Sequence, residues 1–228
     1  MDLKEKTREL VNFINTYIGY TVNQLSQEVH FETKAKNKNA LLIKRIETSF
    51  LGANTFETLS ELNHLLTKTI QLENGKVQES MSFSMFDYKE IINILWEESE
   101  FRKLLSSLFL FCVFEKDDVS NKFIGAFLWK MPEEDLDGEA KRVWEETKEI
   151  IKSGNIVKEN GKRMVLNFPK EKDSPVCHVR PHGRNGSDMS TLPVTEINTS
   201  FLGLPKQSFW LNKAYIEKVI KEHDFSLR

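Results

Sequence analysis

The sequence predicts a mixed α/β fold: helices first, then a mixed central sheet of about five or six strands, with helices inserted and one at the end, as a single domain over residues 1–228. Three observations predict it. Residues 2–52 space their apolar side chains at the helical period. Residues 108–114, Leu-Phe-Leu-Phe-Cys-Val-Phe, form a near-continuous apolar run, as in a strand covered on both faces. Residues 73–76, Glu-Asn-Gly-Lys, are a strong hairpin turn between two apolar stretches.

Taken in order, residues 2–18 read as an amphipathic helix with Leu3, Leu10, Val11 and Ile14 on one stripe, stopped by Gly19. Thr21 caps a second short helix through Val29. A lysine-rich link, residues 34–38, leads to a third helix with Leu42, Ile43, Ile46 and Phe50 inward and Gly52 as its stop. These N-terminal helices (1–36) precede a core over 37–228. Residues 65–72 alternate as a strand, and residues 77–83 are its expected return across the hairpin. Residues 87–96 read as helix, and 123–129 as the strand partner of 108–114. Pro132 opens a long helix that Gly154 closes, with Val143, Trp144, Ile150 and Ile151 inward. Residues 163–168 and 176–180 are two further strands, and Asn212 caps a last helix to about Glu222.

The chain of 228 residues carries 16 Phe and 4 Trp, ample for one substantial core. Its formal net charge of -2 excludes a uniformly basic coat, so any nucleic-acid contact must come from local asymmetry. Such asymmetry exists: residues 158–184 hold seven Lys/Arg against three acids, and residues 133–149 hold eight acids against Lys141, Arg142 and Lys148. Charge runs of this kind are also ordinary solvated faces. Cys112 sits in the apolar run as a buried thiol, and two cysteines make no secreted disulfide framework. No apolar run reaches membrane-span length and no signal-peptide core is present, so a cytoplasmic location is expected.

Residues 177–186 carry the candidate binding chemistry. Pro181 ends a strand and biases Arg180 toward extended backbone, so the guanidinium projects from a strand end. His182, Gly183, Arg184 and Asn185 follow in a loop that can approach a ligand closely. A planar guanidinium fits a guanine edge or a phosphate. On these ten residues alone, a strand followed by a solvated basic loop is the simpler reading. Zinc is rejected for Cys177, His178 and His182, because Pro181 breaks any helix aligning the histidines and no second cysteine pair exists.

Four blocks in order resemble the mismatch-repair nicking endonuclease MutH and the GATC-cutting type II restriction endonucleases related to it. They are residues 38–46 with Leu51 and Gly52; residues 65–72 with Asn74, Gly75, Lys76 and 79–83; His178 to His182; and Lys206 to Lys213. The resemblance implies a restriction-endonuclease-like fold with its recognition end at 175–213. It implies that Arg180, Pro181 and His182 form the DNA-recognition block, whose arginine reaches base edges in the major groove, with Arg184 and Asn185 touching phosphate or loop and Lys206 and Gln207 touching backbone or base. Phe209 and Trp210 are by default core or hinge aromatics.

The family cuts with an acidic residue followed by a Glu-x-Lys triplet, whose carboxylates hold Mg²⁺. Lys68 falls on the lysine position, but Leu66 stands on the glutamate and Leu59 on the aspartate. Glu57 and Glu61 flank Leu59, and Glu47 is one residue out of register with Gly52. Leucine cannot coordinate a hard cation, so no catalytic residue, no metal site and no cofactor are expected; Mg²⁺ belongs only to a catalytic copy. Lys68 is left as a relic that either contacts a phosphate or is simply surface.

Some of these restriction enzymes look like two copies of the fold, and this chain resembles the second, non-catalytic copy. The implied function is GATC-specific double-stranded DNA binding by a pseudo-nuclease, the effector domain of a restriction-modification enzyme. An N-terminal catalytic domain, in the same or another chain, and a second copy of this chain are the protein partners this leaves open; no membrane is among them. Two alternatives stand beside it. One is an active Mg²⁺-dependent nuclease using Glu47, Glu57 or Glu61. The other is a dimerisation or scaffold module without DNA binding.

Overall fold

The structure is a computed structural model that describes residues 3–52, 65–156, 158–159, 165–184, 188–191 and 203–223. The fold is mixed α/β, and it forms two compact units. The first comprises residues 1–79, 107–130 and 219–228, and the second residues 80–106 and 131–218.

In the first unit, α1 (Leu3–Asn15), α2 (Val22–Glu28) and α3 (Lys38–Leu51) come first. Thr21 and Gln24 form a reciprocal capping box that starts α2. Leu10, Ile14, Leu25, Leu42, Ile43 and Ile46 are fully buried, as the helical spacing requires. They share one core with Leu110, Cys112, Phe114 and Ala126. The side chain of Leu3 lies outside the described residues. The strands β1 (Leu65–Glu73), β2 (Lys76–Val77), β4 (Leu108–Lys116) and β5 (Asn121–Trp129) form a mixed sheet in the order β2-β1-β4-β5. β1 and β4 run parallel, whereas β5 is antiparallel to β4. Edge strand β5 is tied down by Asn15, whose side chain both donates to Ala126 O and accepts from Ala126 N. On the sheet face away from α1–α3, Phe109, Phe111, Phe127 and Trp129 pack ring against ring, and His223 stacks on Phe127.

The hairpin turn forms where expected, with Asn74 at φ 52° and Gly75 at φ 73°. Such a pair of left-handed residues matches the twist of the strands it joins. The expected return strand, however, breaks in two. Only Lys76 and Val77 pair back with β1, and the segment 80–106, which includes Met81–Met85, belongs to the second unit.

There, β3 (Met81–Met85), β8 (Cys177–Pro181) and β11 (Gln207–Leu211) make a three-stranded antiparallel sheet with β11 in the middle. Helices α4 (Tyr88–Asn93) and α5 (Glu100–Leu105) flank a 3₁₀ turn at Trp96–Glu98, so residues 87–96 are not one continuous helix. Asp87 and Ser99 cap α4 and α5 through side-chain oxygens. The helix opened by Pro132 begins as a π-helical turn, Asp135–Ala140, and continues as α6 (Lys141–Ser153) to Gly154, at φ 71°. Within that π turn Asp137 accepts from Trp96 Nε1 at 2.7 Å, tying the turn to the 3₁₀ segment. Of the strand expected at 163–168, Val165–Leu166 is described as β7, paired with β6 (Lys158–Glu159). The chain also pairs β9 (Met189–Thr191) with β10 (Gly203–Pro205) before α7 (Lys213–Glu222) ends the described fold.

Asn212 takes the position before α7, and its carbonyl accepts the first helical bond, from Ile216. Its side chain is directed elsewhere. Asn212 Oδ1 lies 2.6 Å from Nδ1 of buried His178, and Nδ2 donates to Ser174 O. Ser80 Oγ instead accepts from the free amide of Lys213, at 3.3 Å. A buried imidazole without a partner costs more than an exposed helix amide that another hydroxyl can satisfy.

Candidate nucleic-acid interface

β8 and β11 pair antiparallel, with Arg180 opposite Ser208 and His178 opposite Trp210. Because side chains alternate along a strand, His178, Arg180 and His182 share a face with Ser208 and Trp210. Cys177, Val179, Gln207, Phe209 and Leu211 take the other face and are buried. Phe209 stacks on Phe101 with centroids 4.3 Å apart, and it also meets Phe86. The central strand is thus anchored from beneath by aromatic packing.

On the outer face Arg180 is exposed, and its guanidinium carbon lies 4.5 Å from the centre of the Trp210 ring. His182 is exposed as well, with its ring 5.0 Å from that of Trp210 and Nδ1 2.9 Å from Ser208 Oγ. Cation–π contact and ring packing hold both side chains on a fixed surface rather than leaving them to sweep through water. Pro181 is exposed between them. Beneath, Gln207 is 1% exposed and its Nε2 has no hydrogen-bond partner among the described residues; Trp210 Nε1 is likewise without one.

The loop after β8 is tied to the segment before β11. His182 N donates to Lys206 O at 2.9 Å, and Lys206 N donates to Asp188 O at 3.3 Å. Lys206 Nζ pairs with Asp188 Oδ1 at 2.7 Å, while Arg184 N donates to Asp188 Oδ2 at 3.0 Å. The Lys206 ammonium, followed by the Arg184 amide, holds the Asp188 carboxyl below its usual pKa. Arg184 is exposed, and Asn185 lies outside the described residues. His178 is buried, and its desolvation lowers the imidazole pKa against the opposing hydrogen bond from Asn212.

The triplet position lies on β1. Leu66 and Lys68 share one face of the strand, whereas Thr67, Thr69 and Gln71 share the face of α3. Thr67 Oγ1 donates to Glu47 Oε1, and Asn39 Nδ2 donates to Gln71 Oε1. Glu47 is therefore engaged on the face opposite Leu66 and Lys68. Burial raises the Glu47 carboxyl pKa and lowers that of the half-buried Lys68 amine. Leu59, Glu57 and Glu61 lie outside the described residues. The Mg²⁺ that the sequence resemblance implies for a catalytic copy needs several oxygen ligands. Leu66 offers none, Glu47 is turned away, and the described residues include no cluster of three acidic, His or Cys side chains able to hold a metal. The described residues do not fit the ion.

Sequence reasoning placed Arg180, Pro181, His182, Gln207 and Lys206 in one neighbourhood, and the pairing of β8 with β11 sets their backbones side by side. The Gln207 side chain, however, is buried on the face opposite Arg180, out of reach of the phosphate or base expected for it. Sequence reasoning missed Trp210 as the platform under Arg180, and it missed Ser208 and Asp188. The alternation from Ser208 to Trp210 held the signal for the first two; Asp188 had none beyond lying in a basic loop.

Two comparisons with known proteins accord with this geometry. The family model described as DNA mismatch repair enzyme MutH matches residues 54–138, a segment that includes β1 through β5. The type II restriction enzyme Sau3AI of Staphylococcus aureus is 31% identical over 257 aligned positions, covering 97% of this chain and 53% of that enzyme. The chain thus spans about half the length of this relative. No described helix is long and apolar enough to cross a membrane. Residues 54–138 thus match the MutH family model, and nearly the whole chain is similar to about half of a type II restriction enzyme.

Proposed function

We propose that this chain binds double-stranded DNA selectively at GATC without cutting it, as the DNA-binding or effector part of a type II restriction enzyme in the cytoplasm. The observation that carries the reading is the exposed Arg180 guanidinium held over Trp210 at the end of a rigid antiparallel pair. A guanidinium fixed in this way can present its planar fork to guanine O6 and N7, with His182 beside it. Pro181 sets the strand end from which both reach. Arg184, Asn185 and Lys206 serve as phosphate contacts that set register, and Gln207 supports the arginine strand from below.

The loss of cutting rests on Leu66 in the triplet and on the engagement of Glu47 with Thr67. Lys68 keeps the family's lysine position as a phosphate contact. The chemistry would then come from a catalytic copy of the fold, in the same or another chain, and a second copy of this chain is the other partner. Binding of GATC and scrambled duplexes across a salt series tests the reading. A consistent preference for GATC at every salt concentration supports it, and equal affinity for both removes the specificity.

A further inference from the structure

Asp188 is an acidic side chain that meets the proposed phosphate contacts at Lys206 and Arg184, and no role in DNA binding follows for it from charge alone. One carboxylate oxygen takes the Lys206 ammonium at 2.7 Å and the other takes the Arg184 main-chain amide at 3.0 Å. The carbonyl of the same residue accepts Lys206 N at 3.3 Å. An ammonium and a main-chain N–H converging on two oxygens of one anion is the donor set that a DNA phosphate uses when a protein sets its register on the backbone. Both donors lie on the loop and strand segment that flank Arg180.

We propose that Asp188 is an internal stand-in for a DNA phosphate: it occupies Lys206 and the Arg184 amide in the free protein, and a backbone phosphate displaces it on binding. The inference rests on the DNA-binding reading above. Its physical consequence is a tempered grip. Each duplex, whatever its sequence, must exchange a phosphate for a carboxylate that is already in place, so the electrostatic gain from Lys206 is partly cancelled. Base discrimination at Arg180 is untouched, since the exchange is the same on every sequence. The arrangement also ties Arg184 and Lys206 to one anion before DNA arrives, because that anion is built into the chain.

The test uses the full chain and two short duplexes, one with GATC and one scrambled, titrated at four or more salt concentrations. Asp188→Asn keeps the shape and an acceptor for the Arg184 amide while removing the charge. The expected result is several-fold tighter binding to both duplexes, an unchanged ratio between them, and a salt slope steeper by up to about 0.9, the value of one phosphate. Lys206→Gln should weaken both duplexes alike in the parent chain and should erase the gain in the D188N background. D188S takes the place of D188N if the latter lowers the melting temperature.

Unchanged or weaker binding by D188N overturns the inference and leaves Asp188 as a loop anchor. A gain that survives in the D188N/K206Q double variant also overturns it, since the gain would then not depend on the Lys206 ammonium. A parent chain that retains neither duplex at low salt refutes the DNA-binding reading itself. A parent that binds beside an unmoved D188N refutes only the role of Asp188.

Discussion

Arg180 lies over Trp210, 4.5 Å from guanidinium carbon to ring centre, although the two residues are 30 positions apart in the chain. The antiparallel register makes the contact: Arg180 stands opposite Ser208, and Trp210 is the next residue along on the same face. An arginine on a solvated loop would lose several rotamers on meeting a base. One already packed on an indole loses fewer, and this is the property a base reader needs.

Removing the guanidinium should therefore cost selectivity rather than general affinity. Arg180→Ala is expected to lower the GATC preference by about 1–3 kcal/mol, roughly five- to 150-fold in the affinity ratio. Arg184→Ala, at a proposed phosphate contact, should weaken both duplexes alike and flatten the salt slope. Fluorescence anisotropy with paired duplexes separates the two patterns.

Trp210→Leu leaves the arginine in place but removes its platform. The expected loss at GATC is smaller, about 0.5–1 kcal/mol, in the range of an exposed cation–π contact. A loss equal to that of Arg180→Ala would mean that Trp210 itself stacks on a base.

Glu47 carries a pH signature. Burial raises its carboxyl pKa in the folded chain. The folded state then holds this proton more tightly than the unfolded one, so the group's stabilisation is complete below the unfolded value of about 4.3 and is lost as pH rises through the raised folded value. Glu47→Gln should melt higher than the parent at neutral pH, with the gap closing as the pH falls below about 4. Thermal unfolding from acid to neutral pH reads this directly, and a variant no more stable than the parent at pH 7 would contradict it.

Phe209 tests the support beneath the arginine strand. Its stack on Phe101 is closely parallel, 13° between planes, and the side chain is 2% exposed. Phe209→Ala is expected to destabilise the fold by about 3–5 kcal/mol. Denaturant unfolding should show the loss, and binding of both duplexes should fall together as the strand loosens.

Much of this was legible because it is local. The apolar run of β4, the Asn74–Gly75 turn and the Gly154 stop each have a cause within a few residues. Strand β3 was not legible as a separate strand, because its partner β11 lies more than 100 residues downstream and nothing between Val77 and Met81 announces the change of sheet. The π-helical turn before α6 has the composition of an ordinary helix start, and the contacts of Asp137 with Trp96 and Arg102 are visible only in three dimensions. Asn212 was readable as a helix start, but its side-chain partner depended on a histidine 34 positions away.

At the candidate site, the family-like blocks pointed to Arg180, His182 and Lys206, and strand pairing brought them together. The roles of Trp210 and Asp188 arise from contacts across β8 and β11 and across the loop between them. One-dimensional patterning cannot express such contacts. That Leu66 stands where the resemblance puts the triplet glutamate was plain from residue identity. That Glu47 cannot stand in from the far face of β1 needed the geometry of Thr67.

The most direct test is a mobility-shift titration of the full chain against GATC and scrambled duplexes, repeated with Mg²⁺ and followed to overnight incubation on denaturing gels. The account predicts a GATC-selective shift and intact strands at every Mg²⁺ concentration. Equal shifts of the two duplexes, or cleavage products that appear only with the metal, would contradict it.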